Sequence, residues 1–222
     1  MVRVLGVDAA AKHGWVGVVC DDDGFREAHI GSLAEIVTRS EPISVVAIDI
    51  PIGNVPGGRA ADKEARRFLG PRRSSVFATP PAIAAAPASY AEANALLADL
   101  GLPKMSRQAW ALLPKIVEAA TLAAADDRLF EVHPEVSFCE MAGEHLRWSK
   151  KSWNGLQSRR TLLAAAGIDL PDVIESVGAV ASDDVVDAAA VAWTALRIAR
   201  GAARSLPDPP QTFGGRAVAI WC

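Results

Sequence analysis

The sequence predicts an α/β fold built on a mixed five-stranded sheet, with an antiparallel meander on one side and parallel strands on the other. Three β-rich runs follow in quick succession between residues 2 and 32, which indicates the meander. A continuous apolar run at 43–51 has the pattern of a central strand that is covered on both faces. After residue 128, strand and helix compositions alternate, as expected for right-handed parallel crossovers.

The first elements carry recognisable boundaries. VRVLGVD (2–8), GWVGVVC (14–20) and GFREAHIGS (24–32) are β-rich runs separated by turn signals. Ser32 and Glu35 then form a capping box, which places the start of the first helix there.

Residues 53–128 predict a helical insertion after the fourth strand. This segment is rich in Gly, Pro and Arg, and helices are expected near 60–69, 89–100 and 106–124. Pro114 is expected to kink or divide the last of them, because proline removes a helical hydrogen bond.

The remaining chain returns to strand and helix patterns. We predict a strand within RLFEVHPEVSF (128–138), a helix at 156–167 and an edge strand at 216–222. Between them, an apolar helix begins with aspartates, and Ser182 or Asp183 is expected to cap it.

Composition bounds the classes of function. The chain has 222 residues, half of them hydrophobic, and we predict one domain over residues 1–222 with a large core. The net charge of −3 means that nucleic acid could be bound only by a local basic patch. Three widely spaced cysteines without a CxxC pair, no signal-peptide pattern and no apolar run of roughly 18 residues predict a cytoplasmic protein without a membrane partner.

Acidic residues in apolar surroundings predict the site. Asp8 and Asp49 each follow core residues, where an uncompensated carboxylate costs several kcal/mol. If the first and fourth strands are parallel neighbours, these two emerge at one end of the sheet, and Asp184 and Asp187 supply the missing side from one helix face. Glu131 enters from the next strand. Such oxygen ligands suit Mg²⁺ or Mn²⁺, which can activate water for phosphodiester hydrolysis.

Several motifs together carry a resemblance to a known superfamily. GVD on the first strand, an aspartate closing a central strand, and DDVVDA opening the final helix resemble the RNase H-like superfamily, especially RuvC-type resolvases. GVDAAAKHGWVGVV, AIDIPIG, ADKEARRFLGPRRSSVF, EVHPEVSF and SDDVVDAAAVAWTA are similar to a bacterial family of unknown function whose members are predicted RNase H-like nucleases. The resemblance implies an RNase H-like domain with Asp8, Asp49 and Asp184 or Asp187 as metal-binding acids. Glu131 departs from the usual RNase H pattern.

The basic stretch at 59–73 has two interpretations, a solvated helix face or a phosphate-binding surface. Its helical members are spaced to lie near one face: Arg59, Lys63, Arg66 and Arg67. Arg72 and Arg73, in the following loop, are the preferred phosphate candidates. Further basic candidates for substrate contact come from elsewhere in the chain: Lys115, Lys150 and Lys151.

His133 lies two residues after Glu131 and is predicted to share its side of a strand. It is either a packing residue or a group that transfers a proton or orients the substrate. A zinc site with Cys139 and His145 is not expected, because the spacing matches no familiar zinc arrangement.

We expect a metal-dependent phosphodiester hydrolase, most simply a nuclease acting on a nucleic acid or nucleotide-like phosphodiester. One alternative is a nucleotide-binding phosphotransferase or NTPase, because GVDAAAKHGWVG also resembles the phosphate loop of the actin-like superfold. Another is a non-catalytic binding module that keeps the acidic residues. Trp110, Trp148 and Trp153 are predicted to pack, not to stack on bases.

Overall fold

The fold is that of a computed structural model, which describes residues 1–55 and 58–222. The main sheet consists of five strands: β1 (Arg3–Ala10), β2 (Gly14–Asp21), β3 (Gly24–Gly31), β4 (Val45–Ile48) and β5 (Leu129–Glu131). Their order is β3-β2-β1-β4-β5. β1, β2 and β3 are antiparallel neighbours, whereas β4 runs parallel to both β1 and β5. The predicted α/β class and mixed sheet are therefore confirmed.

Helices flank this sheet on both faces. Their bounds are α1 (Leu33–Ser40), α2 (Ala60–Leu69), α3 (Tyr90–Asp99), α4 (Arg107–Ala125), α5 (Pro134–Ala142), α6 (Trp153–Ala165) and α7 (Ser182–Ala199). α1 and α4 pack on the face that carries Leu5, Val7 and Ile48. α7 covers the opposite face, with Val4 and Ala47. None of the helices within residues 1–55 and 58–222 is long and apolar enough to cross a membrane.

The contact between α7 and β1 is unusually close. A Cβ atom on Gly6 would lie 2.2 Å from the backbone nitrogen of Ala192 and 2.3 Å from the carbonyl oxygen of Ala188. Glycine is thus required where the two backbones touch. Alanines on the facing side of α7 leave room for this approach, and the helix lies directly on the sheet.

Several predicted boundaries are wrong, each for a local reason. The predicted strand at 128–138 ends at Glu131, because Pro134 occupies the first position of α5, where proline suits a helix start. α4 continues through Pro114 and is not divided. Neither Ser182 nor Asp183 caps α7, since Ala181 holds the N-cap position without a side-chain hydrogen bond.

The C-terminal strand belongs to a second sheet. β7 (Arg216–Trp221) pairs antiparallel with β6 (Ser205–Phe213), which the sequence did not predict. One isolated bridge, between Val132 and Trp221, joins this hairpin to the end of the main sheet. The predicted edge strand at 216–222 is therefore a hairpin partner beside the five-stranded sheet.

Candidate functional site

Asp8 and Asp49 emerge side by side at one end of the sheet. Val7 pairs with Ile48 in the parallel β1–β4 ladder, and the Asp49 backbone N–H donates to the Val7 carbonyl at 2.8 Å. Side chains alternate between faces along a strand, so Asp8 follows Val4 on to the face that α7 covers. Asp49 shares that face because Ala47, two residues earlier, packs there.

α7 supplies the other two aspartates from its first turns. Asp184 and Asp187 lie three residues apart and line the same pocket as Asp8 and Asp49. Asp187 is only 2% exposed, whereas Asp184 is half-buried. Burial, followed by the charge of Asp183, raises the pKa of Asp184. We call Asp8, Asp49, Asp184 and Asp187 the acidic cluster, and the structure brings all four predicted residues together.

Burial and mutual repulsion raise the pKa values within the cluster. Burial raises the pKa of Asp8 well above its ordinary value, and the charges of Asp49 and Asp187 add to this. Burial also raises the pKa of Asp49, although a hydrogen bond with Asp8 opposes the shift. The pKa of Asp187 is raised by burial to about 7. The four carboxyl groups therefore ionise together less readily than isolated ones unless further positive charge is nearby.

Lys150 is the nearest positive charge to the cluster. Its Nζ donates to Oδ2 of Asp187 at 2.5 Å and lies 3.9 Å from Oδ2 of Asp183. Burial alone would lower the pKa of this ammonium, but the charges of Asp187, Asp8 and Asp49 raise it. Lys150 is thus a protonated counter-ion, and one ammonium faces four carboxylates.

A pocket of about 340 Å³ lies over the acidic cluster. The helical insertion forms its roof, through Val76, Phe77, Gln108 and Leu112. Arg72, on the 3-10 turn Gly70–Ser75, also lines it. The carboxylates therefore face a partly open pocket that apolar and basic side chains also line.

His133 stands at the rim of the pocket, at the N-cap of α5. Its Nε2 lies 3.3 Å from the carbonyl oxygen of Ser75. The buried Nδ1 has no hydrogen-bond partner within the described part of the chain. In its protonated form His133 lowers the pKa of Asp49, against the effect of burial. The imidazole is therefore electrostatically coupled to the acidic cluster and keeps one nitrogen free.

Glu131 does not join the acidic cluster. It pairs with Ile48 in the parallel β4–β5 ladder, so both side chains lie on the sheet face opposite Asp49. Ile48 packs with α1 and α4 on that face. Glu131 was predicted as a further acid beside the four metal-binding aspartates, and it lines the same pocket as they do, but from the other side of the sheet.

Glu131 instead binds Arg59, and both are buried. Oε2 of Glu131 also accepts the Ile52 backbone N–H at 2.7 Å. Arg59 donates to the Thr79 hydroxyl at 2.8 Å and lies 3.3 Å from Asp62. Burial raises the pKa of Glu131 to about 7, although Arg59 opposes this shift. We call Arg59, Asp62, Thr79 and Glu131 the Arg59 network. Arg59 was predicted to bind phosphate, but its guanidinium makes internal contacts with the other members of this network.

The other predicted basic residues of the insertion divide into two groups. Arg72 reaches the pocket while its Nε donates to the Leu146 carbonyl at 3.0 Å. Arg66 donates through Nε to the Val76 carbonyl at 2.8 Å and does not line the pocket. Arg73 is exposed beside Arg72. Arg72 is therefore the predicted phosphate candidate that the structure brings to the site.

Lys115 and Lys151 lie outside the pocket wall. Lys115 donates to the Gly14 carbonyl, and its Nζ lies 4.0 Å from the centre of the Trp15 ring. Lys151 is exposed next to Lys150 and opposes the raised pKa of Asp184. Lys115 is thus held by internal contacts, whereas the Lys151 side chain is exposed and forms no ion pair within the described residues.

One family profile decides where the chain belongs. The family described as "Protein of unknown function (DUF429)" matches residues 6–212. The chain belongs to this family. Searches of curated protein sequences and of solved structures give no significant match. The matched range of this DUF429 protein includes every member of the acidic cluster.

The donor chemistry of the cluster in this DUF429 protein fits a divalent cation. Four carboxylates with raised pKa values are the hard oxygen ligands that Mg²⁺ and Mn²⁺ prefer. Among residues 1–55 and 58–222, no three His, Cys, Asp or Glu side chains are already spaced as ligands of one ion. Lys150 holds Asp187, so ligation by this aspartate requires the lysine to give way.

Sequence reasoning missed two features of the site. Lys150 was expected to approach a phosphate, not to neutralise Asp187, because its loop is distant from α7 in sequence. Phe77 and Leu112 were not expected to roof the pocket. One indication for Phe77 was available in the sequence. It lies four residues after the basic stretch at 59–73, which was predicted to approach the site.

Proposed function

We propose that this protein is a divalent-metal-dependent phosphodiester hydrolase, and specifically a nuclease. The acidic cluster would hold Mg²⁺ or Mn²⁺ through Asp8, Asp49, Asp184 and Asp187. When bound, such an ion polarises the phosphoryl group and lowers the pKa of water. The remaining chemistry falls to the side chains around the pocket.

The excess of buried negative charge carries this proposal. Three separate elements bring four aspartates to one pocket, and among these four only Asp187 is ion-paired within the described residues, with Lys150. Burying unbalanced carboxylates destabilises a fold, so a bound cation is the simplest compensation. A structural role for these residues alone would be served better by neutral or paired side chains.

The resemblance to RNase H-like proteins supports the same function. The motifs that carry it fall on β1, on the end of β4 and on the start of α7, where the aspartates meet. The mixed sheet and the closing acidic helix agree with the fold that the resemblance implies.

Chain residues can supply the proton transfer and the charge for a phosphodiester substrate. His133 lines the pocket, and its unpartnered Nδ1 is buried, so a side-chain rotation would be needed before it could accept a proton from the attacking water. Arg72 and Lys150 also line the pocket and would bind the non-bridging phosphate oxygens.

The pocket favours one nucleotide unit at a time. Its volume of about 340 Å³ lies at the lower end of ligand pockets, which suits one nucleotide unit better than a length of duplex. We place this activity in the cytoplasm, in keeping with three buried cysteines that carry free thiols.

The decisive experiment is a panel of single-stranded DNA, single-stranded RNA, duplex DNA, a cyclic dinucleotide and ATP, each with Mg²⁺ or Mn²⁺. Wild-type protein should cleave at least one phosphodiester, and Asp49→Asn should lose roughly a thousandfold in rate, since metal activation contributes several kcal/mol. Asp99→Asn is the matched control, because Asp99 is exposed at the end of α3 and should retain full activity.

Lys150 favours a second candidate, a non-catalytic binding module. Its ion pair with Asp187 partly neutralises the cluster without any metal. This candidate predicts no cleavage of any panel substrate by wild-type protein. Cleavage that Asp49→Asn retains would contradict the assignment of the cluster, and turnover of ATP alone would indicate a phosphotransferase.

A further inference from the structure

Two tryptophans beside the pocket are exposed, against the prediction that they pack. Trp153 is 74% exposed and Trp148 is 42% exposed, although tryptophan side chains are usually well buried. The guanidinium carbon of Arg147 lies 4.6 Å from the centre of the Trp148 ring. Six residues therefore present two large aromatic surfaces to solvent, one of them paired with a cation.

The same surface is locally basic in a chain of net charge −3. The loop between α5 and α6 contains three basic residues, Arg147, Lys150 and Lys151, against one acidic residue, Glu144. The Nε of Arg72 donates to the Leu146 carbonyl, so the 3-10 turn with Arg72 and Arg73 packs against this loop. We call Arg72, Arg73, Arg147, Trp148, Lys151 and Trp153 the basic aromatic face.

Hydrogen bonds from the buried side of the molecule fix the α5–α6 loop, which carries most of this face. The buried Arg159 donates to the Trp148 carbonyl at 3.2 Å and binds both carboxylate oxygens of Glu135. Ser152 caps α6, and its Oγ also donates to the Ser149 carbonyl at 2.7 Å. The tryptophans are therefore presented by a pre-organised loop, which reduces the entropy cost of binding.

The basic aromatic face adjoins the acidic pocket along the chain. Ser149 and Lys150 line the pocket, and Trp148 and Lys151 are their direct neighbours in sequence. Arg72 connects the two, because it lines the pocket and donates to the Leu146 carbonyl. A ligand bound to this face would therefore lie next to the pocket that the aspartates line.

We infer that the basic aromatic face binds single-stranded nucleic acid and directs it into the acidic pocket. Aromatic rings stack on unpaired bases, and the flanking Arg and Lys side chains bind the phosphates between them. Bases in a duplex are already stacked and would not reach the indoles. This inference rests on the proposed function for its catalytic meaning, but the binding itself needs no hydrolysis.

The test measures binding to fluorescent 12-nucleotide DNA and RNA single strands in EDTA, where metal-dependent cleavage cannot occur. Trp148→Ala with Trp153→Ala should weaken binding roughly tenfold or more, because each stacked base contributes substantially. Phe213→Ala is the matched control, since Phe213 is 46% exposed on β6, outside this face. Bound strands should also quench wild-type tryptophan fluorescence, and Arg147→Gln with Lys151→Gln should reduce the salt dependence of affinity.

Unaltered affinity in the double tryptophan variant would overturn the inference, as would equal affinity for a duplex or for polyglutamate. Single-strand binding without cleavage in Mg²⁺ or Mn²⁺ would support the face while contradicting the nuclease proposal. Cleavage of a small phosphodiester without single-strand binding would do the reverse. Circular dichroism of each variant checks that the fold is intact.

Discussion

The acidic cluster and the Arg59 network are both buried and polar, but they differ in charge balance. In the Arg59 network, one guanidinium stands between Glu131 and Asp62, and a hydroxyl and backbone N–H groups complete the contacts. In the acidic cluster, Lys150 is ion-paired with Asp187, whereas Asp8, Asp49 and Asp184 form no ion pair within residues 1–55 and 58–222. The charges of the Arg59 network are therefore paired with one another, whereas most carboxyl groups of the acidic cluster have no cationic partner within the described residues.

This difference in charge balance distinguishes a network of paired groups from a cluster of like charges. The Arg59 network ties α2 and the segment after α2 to the end of β5 through the contacts of Arg59 with Thr79 and Glu131. The acidic cluster has raised pKa values that a cation would lower. Removing a charged group should therefore destabilise the Arg59 network, whereas removing a carboxyl group from the acidic cluster should reduce the repulsion between its aspartates.

Arg59→Met should give the largest loss of stability. It leaves Glu131 buried without its cation, and breaking a buried pair in this way costs about 3–5 kcal/mol. Urea unfolding measures the change. Adding Glu131→Gln should restore part of the loss, while Arg66→Met, which removes a contact with one carbonyl, should cost less. Equal losses for Arg59→Met and Arg66→Met would contradict the structural role of the network.

Lys150→Met should have an intermediate effect that depends on metal. Without divalent cations at pH 8, the loss of the ammonium from Asp187 should destabilise the protein by about 2 kcal/mol. Added Mg²⁺ should stabilise this variant more than the wild type, because Asp187 is then free to bind it. Thermal unfolding with and without Mg²⁺ measures both effects. Lys151→Met, at an exposed position, should show neither.

The pH dependence of metal-free stability should show the smallest effect. Because the pKa of Asp187 is raised to about 7, folding favours its protonated form, and this contribution falls as pH rises from 6 to 7. A loss on the order of 1 kcal/mol is expected over this range. Asp187→Asn should reduce the slope without abolishing it, because the pKa of Glu131 is also raised to about 7. Saturating Mg²⁺ should also reduce the slope in the wild type. A flat metal-free wild-type profile would show that the cluster carries no excess charge.

The sequence was sufficient to predict the four aspartates, because local patterns place each one. Asp8 and Asp49 follow apolar strand residues, and Asp184 and Asp187 share a helix face at a helix start. The sheet face of Glu131 could not be predicted, because it depends on the β4–β5 register, which is a tertiary property. The partner of Arg59 is 72 residues away, so no local signal could reveal that pairing.

The same distinction applies to the fold, because strands with a local sequence pattern were predicted and the strand without one was not. The meander and the parallel strands follow from composition and spacing, and the sheet confirms them. β6 escaped prediction because three of its nine residues are prolines, which cannot donate to a strand ladder. The pairing interruption between Leu206 and Gln211 spans those prolines, so the hairpin forms around them.

The close backbone contact at Gly6 determines how near α7 lies to β1, and therefore how near the aspartates of the two elements lie to each other. Asp8 lies two residues beyond Gly6 on the same strand face, and Asp187 directly precedes Ala188, which touches Gly6. The gap between the aspartates of the sheet and those of α7 is therefore set by a missing methyl group. A larger residue at position 6 would widen that gap without altering any charge, so the proposed cation site depends on a residue that would contact no ligand.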